Sequence, residues 1–409
     1  MGDRVAVVGA GYAGMAAAVT LAERGVPVTV FEAGTLPGGR ARRVVSQGNE
    51  LDNGQHILIG AYSDLFRLMR TAGVRADAVL RVPLEIRYPG RFHLRALWFP
   101  APFGLAAGLL LASGAPFAER LAAARFMAAM RRRKFRLEDD LSVEELLKRY
   151  GQDGAIAHFL WRPLCVSALN TPPRDASAKK FLVVLRDALF GEPGASDLLL
   201  PCVDLSRLFP EPAAEYVRAH GGEVRYGVTV RDVQALKKEF RAIVVAVGPH
   251  QLKALLPELA RDYAYQPIYT CYLQYPEQVK LAFPMLGLAD GLVQWVFDRG
   301  ALVGEKGRLA CVISAQGDHQ QMALGELADT CHRELARVIP DLPSPVWSRV
   351  IAEKRATIAC TPGLKTISME TPIKGVYLAG DYTDPEYPPT LEAAVRSGVR
   401  AAKKILEIA

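Results

Sequence analysis

Three glycines near the beginning of the chain have the spacing of a phosphate-binding loop. Gly9, Gly11 and Gly14 follow the apolar run at 5–8 and open an Ala-rich segment. Gly9 permits a tight turn, Gly11 lets a pyrophosphate approach the backbone, and Gly14 lets a helix pack closely on the strand. The N-terminus of that helix, with Ala13 in its first turn, offers free N–H groups and a positive dipole end to phosphates. The pattern therefore predicts a dinucleotide site.

A carboxylate after the next strand extends this site. Glu32 ends the second apolar strand and is followed by Ala33. A carboxylate at this position accepts hydrogen bonds from ribose hydroxyls, and its charge would repel a 2′-phosphate. We therefore predict that Glu32 and Ala33 bind the ribose and that the site does not take NADP. Only one such fingerprint is visible, so no second site for NAD(P)H is predicted and the source of electrons stays open.

A second glycine pair indicates which dinucleotide is bound. In "PGGRARR" at 37–43, Gly38 and Gly39 give close backbone approach and Arg40 can reach a phosphate. A second phosphate-contacting segment so close after Glu32 resembles the arrangement in FAD enzymes of the amine oxidase and carotenoid desaturase superfamily. In these enzymes FAD lies extended and touches a further strand and a C-terminal strand–turn–helix. The resemblance implies that the Val230 backbone meets the adenine and that Gly380 and Asp381 hold the ribityl–pyrophosphate region.

The C-terminal segment "VYLAGDYTDPEYPPTLEAAVRSG" at 376–398 fits that expectation. Thr390 is a plausible N-cap for a last helix that starts near Leu391. This helix would aim its N-terminus at the flavin pyrimidine ring, where its dipole stabilises the negative charge of reduced flavin. The alternative is a plain closing helix without a ligand.

"LDNGQHILIG" at 51–60 corresponds to the segment that passes near the flavin ring in the superfamily. The resemblance implies that Gln55 and His56 face the isoalloxazine. A structural role for His56 is the open alternative.

Several longer motifs resemble the hydroxysqualene dehydroxylases, the squalene-associated FAD-dependent desaturase-like proteins. The resemblance covers nearly the whole chain. The motifs that carry it are "DNGQH" (52–56), "FLWRPLCVSALNTPPRDASA" (159–178), "LLLPCVDLSRLFPEPA" (198–213) and "TDPEYPPTLEAAVRSG" (383–398). Departures are small: "VAVGPHQLKALLP" at 245–257 carries Gly248 and His250 where a plainer Ala/Pro run is usual, and Met15 replaces Leu.

The resemblance implies a reaction in squalene and hopanoid biosynthesis. Hydroxysqualene and reduced FAD would give squalene, water and oxidised FAD, through an allylic carbocation that accepts hydride. Such a site needs a long apolar cavity, a proton donor at the hydroxyl and exclusion of water. The candidate acids are His56, then Asp290 or Glu392, and His would also serve near neutral pH.

The net charge of +7 and the pI near 9.0 are too weak and too scattered to predict nucleic-acid binding, but they favour an anionic membrane surface. Residues 98–117, "WFPAPFGLAAGLLLASGAPF", carry no charge, but Pro100, Pro102 and Pro116 interrupt them, which disfavours a spanning helix. With "MRRRKFR" at 130–136, this stretch predicts an interfacial helix with a basic flank at about 98–136. A helix lining the substrate cavity is the competing interpretation.

The elements that must position these residues begin with a βαβ unit over 5–32. The remaining patterns predict a hairpin at 41–54, mostly helix at 60–190, strands at 221–252, an antiparallel sheet at 267–317 and a helix at about 319–338. The predicted fold class is α/β. A Rossmann-like FAD-binding domain of the glutathione reductase type is built from the discontinuous segments 1–85, 195–250 and 355–409. An α+β substrate domain, 86–194 and 251–354, is inserted.

The predicted partners follow from the resemblance. They are hydroxysqualene, a membrane surface and a hydroxysqualene synthase that hands over the substrate, and the expected location is the cytoplasmic face of the cell membrane. The six cysteines show no metal spacing, so no metal is predicted. Rival functions are amine oxidation, carotenoid desaturation and, in another class, a prenyl-lipid carrier without redox activity. The intact glycine loop, Glu32 and "GGR" disfavour the carrier.

Overall fold

The computed structural model describes residues 2–97, 99 and 103–407. Four residues of the predicted interfacial segment, Trp98, Pro100, Ala101 and Pro102, lie outside the described residues. Among the residues that are described, no helix is both long enough and apolar enough to cross a membrane.

The strands of the described residues are named here in chain order. They are β1 (Gly2–Val8), β2 (Val28–Glu32), β3 (Arg43–Ser46), β4 (Asn49–Asp52), β5 (Leu58–Ile59), β6 (Val79–Val82), β7 (Glu85–Tyr88), β8 (Phe92–Arg95), β9 (Leu198–Pro201), β10 (Glu223–Tyr226), β11 (Phe240–Val245), β12 (Tyr265–Gln274), β13 (Met285–Gly287), β14 (Trp295–Asp298), β15 (Arg308–Ser314), β16 (Trp347–Ile358) and β17 (Val376–Leu378).

The α-helices of the same residues are α1 (Tyr12–Ala22), α2 (Ser63–Thr71), α3 (Phe103–Leu111), α4 (Phe117–Arg132), α5 (Val143–Arg149), α6 (Arg162–Leu169), α7 (Ala178–Phe190), α8 (Leu205–Leu208), α9 (Pro210–Ala219), α10 (Val233–Leu236), α11 (Pro249–Leu255), α12 (Arg299–Val303), α13 (Leu324–Ala336) and α14 (Leu391–Glu407). A π-helical turn, Ala157–Trp161, precedes α6.

A five-stranded parallel sheet has the order β10-β2-β1-β11-β17. Its central strands are almost continuously apolar because both faces of a parallel sheet are covered by helices. Helix α1 is buried along its whole length, which its small residues permit. Helix α14 packs so closely on it that a Cβ at Gly398 would lie 2.1 Å from Ala13 O. The two ends of the chain therefore form one layer.

A five-stranded antiparallel sheet has the order β13-β14-β15-β12-β16. Cys271 and Cys311 face each other at the centre of the β12–β15 ladder, and both are fully buried. The sheet predicted at 267–317 is confirmed, as are the β3–β4 hairpin and the βαβ unit. The protein thus combines a parallel sheet with antiparallel sheets in a mixed α/β fold.

The segment at 60–190 differs from its prediction because it contains three strands as well as helices. β6 joins a small sheet with β9, and β7 and β8 form a hairpin. In β8 the side chains alternate between buried and exposed, the period of a half-buried strand, and Gly90 takes a positive φ of 68° in the turn. The predicted strand at 227–230 is a loop instead, in which the Val228 N–H donates to Glu32 O.

Candidate active site

A cavity of about 1550 Å³ runs between the parallel and the antiparallel sheet. This volume exceeds the roughly 300–1,000 Å³ of ordinary ligand pockets, so the cavity has room for more than one small ligand. Every predicted cofactor residue except Gly14 lies on its wall: Gly9, Gly11, Ala13, Glu32, Ala33, Gly39, Arg40, Gln55, His56, Val230, Gly380, Asp381, Thr390 and Leu391.

The glycines at the start of α1 differ in what surrounds them. A Cβ at Gly14 would lie 1.9 Å from Gly9 O, so Gly14 allows the helix to pack and does not face the cavity. Gly9 has a φ of 103°, in the left-handed region that favours glycine. A Cβ at Gly11, in contrast, would meet no protein atom closer than 3.8 Å. Gly11 therefore leaves a gap that is open to the cavity, beside a helix N-terminus without a side-chain cap.

Glu32 is held in place by two backbone amides. The Ala10 N–H and the Gly34 N–H donate to its two carboxylate oxygens, each at 2.7 Å. Since each carboxylate oxygen accepts more than one hydrogen bond, Glu32 can still accept from a ribose on the cavity side.

Arg40 connects the second glycine loop to the C-terminal turn. Its Nη2 donates to Asp381 Oδ1 at 2.7 Å, and its Nη1 donates to Ala356 O at 2.9 Å. Asp381 is 5% exposed, and Arg40 neutralises the charge of its buried carboxylate. The remaining guanidinium N–H groups are available to a phosphate.

The N-terminus of α14 opens on the cavity. Thr390 Oγ1 accepts from the Ala393 N–H at 3.2 Å, which confirms the predicted N-cap. Thr390, Leu391 and Pro389 all line the cavity wall. Two helix N-termini, those of α1 and α14, therefore face the same space.

The far end of the cavity is apolar. Two polar side chains there are already paired: Trp295 Nε1 donates to Ser167 Oγ at 2.8 Å, and the Asn170 side chain hydrogen bonds to backbone groups of β12 and of the loop after β15. Trp161, which belongs to the motif at 159–178, is buried and donates to Gln152. The other walls of this end are hydrocarbon, from Leu84, Ile86, Leu160, Leu164, Val184, Leu185, Ala188, Leu189, Leu198, Ile268, Met285, Phe297 and Val312.

A buried ion pair supports Gln55 from behind the wall. Arg299 Nη1 lies 3.3 Å from Asp52 Oδ2 and 3.2 Å from Gln55 Oε1, and all three side chains are buried. Burial raises the pKa of Asp52 to about 6, and Arg299 opposes that rise. Sequence reasoning missed Arg299 because "DRG" at 298–300 has the composition of an ordinary turn and lies 244 residues from Gln55.

His56 lies on the wall next to Gln55. Its Nδ1 is 2.8 Å from Gly54 O, and because a carbonyl only accepts, Nδ1 carries the proton. Burial lowers the pKa of His56 below its ordinary value, although the Gly54 carbonyl opposes the shift. At neutral pH Nε2 is therefore mainly unprotonated, and His56 becomes an acid only as the imidazolium. This qualifies the expectation that it serves as an acid near neutral pH.

The other two predicted acids are not on the wall. Asp290 lies on the protein surface, with ion pairs to Arg91 at 3.0 Å and His158 at 3.2 Å, so it cannot reach a ligand in the cavity. Glu392 is fully buried, and its oxygens accept from the Asp64 and Leu65 N–H groups at the start of α2. It anchors that helix. The structure thus places neither carboxyl on the cavity wall, contrary to the expectation that one of them protonates a ligand there.

Tyrosines on the cavity wall bear on amine oxidation, one of the rival functions. Tyr387 lines the cavity and its hydroxyl donates to Asp187 at 2.5 Å, whereas Tyr382 is buried away from the wall. Tyr62, which the sequence did not single out, also lines the cavity.

The comparison with known proteins agrees with this geometry. A family model described as flavin containing amine oxidoreductase matches residues 12–406. The chain belongs to this family. It is 30% identical to the hydroxysqualene dehydroxylase of Rhodopseudomonas palustris over 99% of both chains. It is 24% identical to a probable zeta-carotene desaturase of Synechococcus elongatus, over 99% of this chain and 98% of the relative.

Putrescine oxidase bound to putrescine has the same fold, with a TM-score of 0.70 and 17% identity over 99% of both chains. The resemblance to the hydroxysqualene dehydroxylases within the amine oxidase superfamily is thus confirmed. The chain is an FAD-dependent oxidoreductase. The residues present fit FAD, because the Gly11 gap, the held Glu32 carboxylate and two helix N-termini lie along one cavity.

Proposed function

We propose that the protein removes the hydroxyl of hydroxysqualene reductively and so makes squalene, as a step of squalene and hopanoid biosynthesis. The observation that carries this proposal is the change in character along the single cavity. One end has the groups a dinucleotide needs, and the other is hydrocarbon. Between them lie Gln55 and His56, whose free polar atoms suit one hydroxyl. A long hydrocarbon with one alcohol group is complementary to an apolar wall that ends at two polar side chains beside the cofactor end.

The cofactor end supplies a place for each part of FAD. The α1 N-terminus with Gly9, Gly11 and Ala13, together with Gly39 and Arg40, would hold the pyrophosphate. Glu32, Ala33 and the Val230 backbone would hold the adenosine. Gly380, Asp381, Thr390 and Leu391 would hold the flavin portion. Gly14 acts through helix packing. When bound and reduced, FAD supplies hydride to the carbon that loses the hydroxyl.

This chain's own residues have three tasks in the reaction. The hydrocarbon walls orient the isoprenoid chain and exclude water, which would recapture an allylic cation. His56, as the imidazolium, gives its Nε2 proton to the departing oxygen, while the Gly54 carbonyl holds the ring through Nδ1. The N-terminus of α14 favours negative charge at the flavin end of the cavity.

The fold also supports the proposed division into two domains. Every strand of the parallel sheet falls within the segments 1–85, 195–250 and 355–409. The strands β12 to β15 fall within 251–354, and β16 crosses the boundary at 354. The first set of segments is the FAD-binding, Rossmann-like domain, and 86–194 with 251–354 is the inserted substrate domain.

A membrane surface is the proposed source of this insoluble substrate. Helix α3 turns glycines inward, since a Cβ at Gly108 would lie 2.4 Å from Arg95 O, and large apolar side chains outward. Phe103 is 67% exposed and Leu111 is 70% exposed. The exposed basic residues beside them on and after α4 are Arg125, Arg131, Arg132, Arg133, Lys134 and Arg136. This pairing of apolar and basic side chains suits an anionic lipid interface.

The same surface adjoins the apolar end of the cavity. Arg131 lies over the Phe190 ring, 5.5 Å from its centroid, and Phe190 ends α7. Helix α7 contributes Val184, Leu185, Ala188 and Leu189 to the cavity wall. An isoprenoid handed over in the membrane, for example by a hydroxysqualene synthase, therefore has a short path to the site.

Desaturation of a long polyene is the second candidate, since a zeta-carotene desaturase is among the relatives. A product assay separates the two. The purified holoenzyme is incubated in detergent either with hydroxysqualene and a chemical reductant or with zeta-carotene and an electron acceptor that reoxidises the flavin. We expect squalene from hydroxysqualene and no desaturated carotenoid. Loss of hydrogen from the polyene, with hydroxysqualene untouched, would overturn the proposal and favour the desaturase.

A further inference from the structure

Two nitrogen atoms in the middle of the cavity have no protein partner. Among residues 2–97, 99 and 103–407, no group hydrogen bonds to Gln55 Nε2 or to His56 Nε2. Neither atom belongs to the fully buried atoms that lack a partner, so both face open space. Because Gln55 and His56 are adjacent in the chain and line the same cavity, one ligand hydroxyl can meet both atoms.

Arg299 decides which end of the Gln55 amide faces the cavity. A guanidinium carries donors only, so the amide atom 3.2 Å from Arg299 Nη1 must be the oxygen. The –NH2 group consequently points away from Arg299. Gln55 could otherwise turn either its amide oxygen or its –NH2 group toward the cavity; the bond to Arg299 fixes it as a hydrogen-bond donor to a ligand.

Arg299 itself is held on two sides. Its Nη1 pairs with Asp52, and its Nε donates to Glu305 Oε2 at 2.9 Å. The side chain is 4% exposed, so these bonds are shielded from water and no reorganisation is needed when a ligand arrives. Asp52 is fixed in turn by the Leu205 N–H at 2.8 Å. The donor at Gln55 is therefore preorganised by residues from three distant parts of the chain.

We propose that Gln55 Nε2–H donates to the oxygen of the leaving hydroxyl, and that Arg299 is its positioning residue. This inference rests on the proposed function. A hydroxyl oxygen has two lone pairs, which Gln55 Nε2–H and protonated His56 Nε2–H occupy together. As the C–O bond breaks, its electron pair stays on oxygen, His56 supplies the proton that completes water, and reduced FAD supplies the two electrons and hydrogen for carbon.

This arrangement gives the site selectivity for the alcohol over the hydrocarbon product. Squalene lacks the oxygen and leaves the Gln55 N–H unpaired, so product binds more weakly than substrate. One hydrogen bond of this kind changes affinity about threefold to tenfold. A preorganised donor at an oxygen that gains negative charge changes kcat by about 10²-fold.

The test compares ligand affinities of the oxidised holoenzyme, in which no turnover occurs. Hydroxysqualene and squalene are titrated in detergent, and quenching of tryptophan fluorescence reports binding, since Trp295 lies on the cavity wall. We expect the wild type to bind hydroxysqualene about threefold to tenfold more tightly. Gln55→Leu should reduce this preference while squalene affinity is unchanged. Gln278→Leu, the same change at an exposed turn, should keep it.

Arg299→Lys tests the positioning role without removing the buried positive charge. It keeps a partner for Asp52 but lacks the fork that reaches Gln55, so we expect normal flavin content, reduced preference for the alcohol and a fall in kcat with little change in KM. Full retention of the preference in Gln55→Leu would overturn the inference. A change in the flavin spectrum of Gln55→Leu with unchanged preference would also overturn it, by assigning Gln55 to the cofactor. Absence of any hydroxysqualene binding by the wild type would overturn the proposed function itself.

Discussion

Arg40 and Asp381 are 341 residues apart in the chain, yet their side chains form a hydrogen-bonded ion pair of 2.7 Å. The pair joins the second glycine loop to the turn before α14. Gly398 of the same helix lies against the backbone of α1 at Ala13. Residues from both ends of the chain therefore build the cofactor end of the cavity as one unit, and cofactor binding depends on both.

Replacing Arg40 by Ala should weaken FAD binding and stability together. The change leaves the Asp381 carboxylate, which is 5% exposed, without its cation. Because Arg40 is itself partly exposed, we expect a loss of about 2 kcal/mol in unfolding free energy. Flavin-to-protein ratio and thermal unfolding measure both effects. Arg75→Ala, which breaks the exposed pair with Asp77, is the control and should change neither; equal behaviour of the two variants would contradict a role for Arg40.

Gly11→Val should give a folded protein without flavin. A Cβ at Gly11 would meet no protein atom within 3.8 Å, so the fold tolerates it, but the side chain enters the space that the pyrophosphate needs. Circular dichroism and flavin content separate fold from binding. Gly14→Val is the contrasting variant, because its Cβ would collide with Gly9 O at 1.9 Å and should prevent folding. Normal flavin content in Gly11→Val would refute the phosphate-loop assignment.

Much of the cofactor half could be read from the sequence because local spacing determines it. The glycine loop, Glu32 and the Thr390 cap depend on neighbours within a few residues, and the structure has these elements where the sequence predicts them. The strands within 60–190 are harder to predict from the sequence, because β7 and β8 are only four residues long each and lie between helical patterns.

The reactive part of the site could not be read in this way. Asp290 is only five residues from Trp295 in the sequence. The Trp295 side chain, at the start of β14, lines the cavity, whereas Asp290 lies in the preceding surface turn with a positive φ of 62°. Glu392 is in the first turn of α14, close to the predicted flavin position, yet its carboxylate accepts hydrogen bonds from the backbone of α2. Arg299 reaches Gln55 only through the packing of distant segments, which no local pattern encodes.

The activity should fall as pH rises if His56 is the proton donor. Burial lowers the pKa of His56 below its ordinary value of about 6.5, so the imidazolium is depleted above that lowered pKa. We expect kcat/KM for hydroxysqualene to decrease about tenfold per pH unit on the alkaline side. His56→Gln should retain flavin, lose most activity and show a flat profile. A wild-type rate that rises with pH through this range would remove His56 as the acid.

Asp52 should make stability depend on pH in the acid range. Its folded pKa of about 6 is above its ordinary 3.8, so the folded state binds the proton more tightly than the unfolded state. Unfolding free energy should therefore decrease as pH rises from about 4 to about 6, by up to about 3 kcal/mol from this group. Asp52→Asn should lack this component, and Asp262→Asn, at an exposed position, should keep it. Urea unfolding at several pH values measures the difference, and parallel pH curves for wild type and Asp52→Asn would contradict the assignment.

Phe103 and Leu111 should matter for lipid binding more than apolar residues elsewhere on the surface. The double variant Phe103→Glu, Leu111→Glu places two charges where apolar side chains would enter the interface, so we expect binding to anionic vesicles to fall at least about tenfold. Leu324→Glu changes an exposed leucine, 52% accessible, on α13 and serves as control. Vesicle co-sedimentation measures binding, and equal losses in both proteins would refute the predicted membrane face.

The most direct test of the account is an anaerobic single turnover. The holoenzyme is reduced stoichiometrically with dithionite, mixed with hydroxysqualene in detergent, and followed by flavin absorbance while products are extracted and quantified. The account predicts that the oxidised flavin spectrum returns and that one squalene forms for each flavin reoxidised. Flavin that stays reduced while hydroxysqualene remains intact would contradict reductive dehydroxylation, although the flavoenzyme fold and the FAD site would stand.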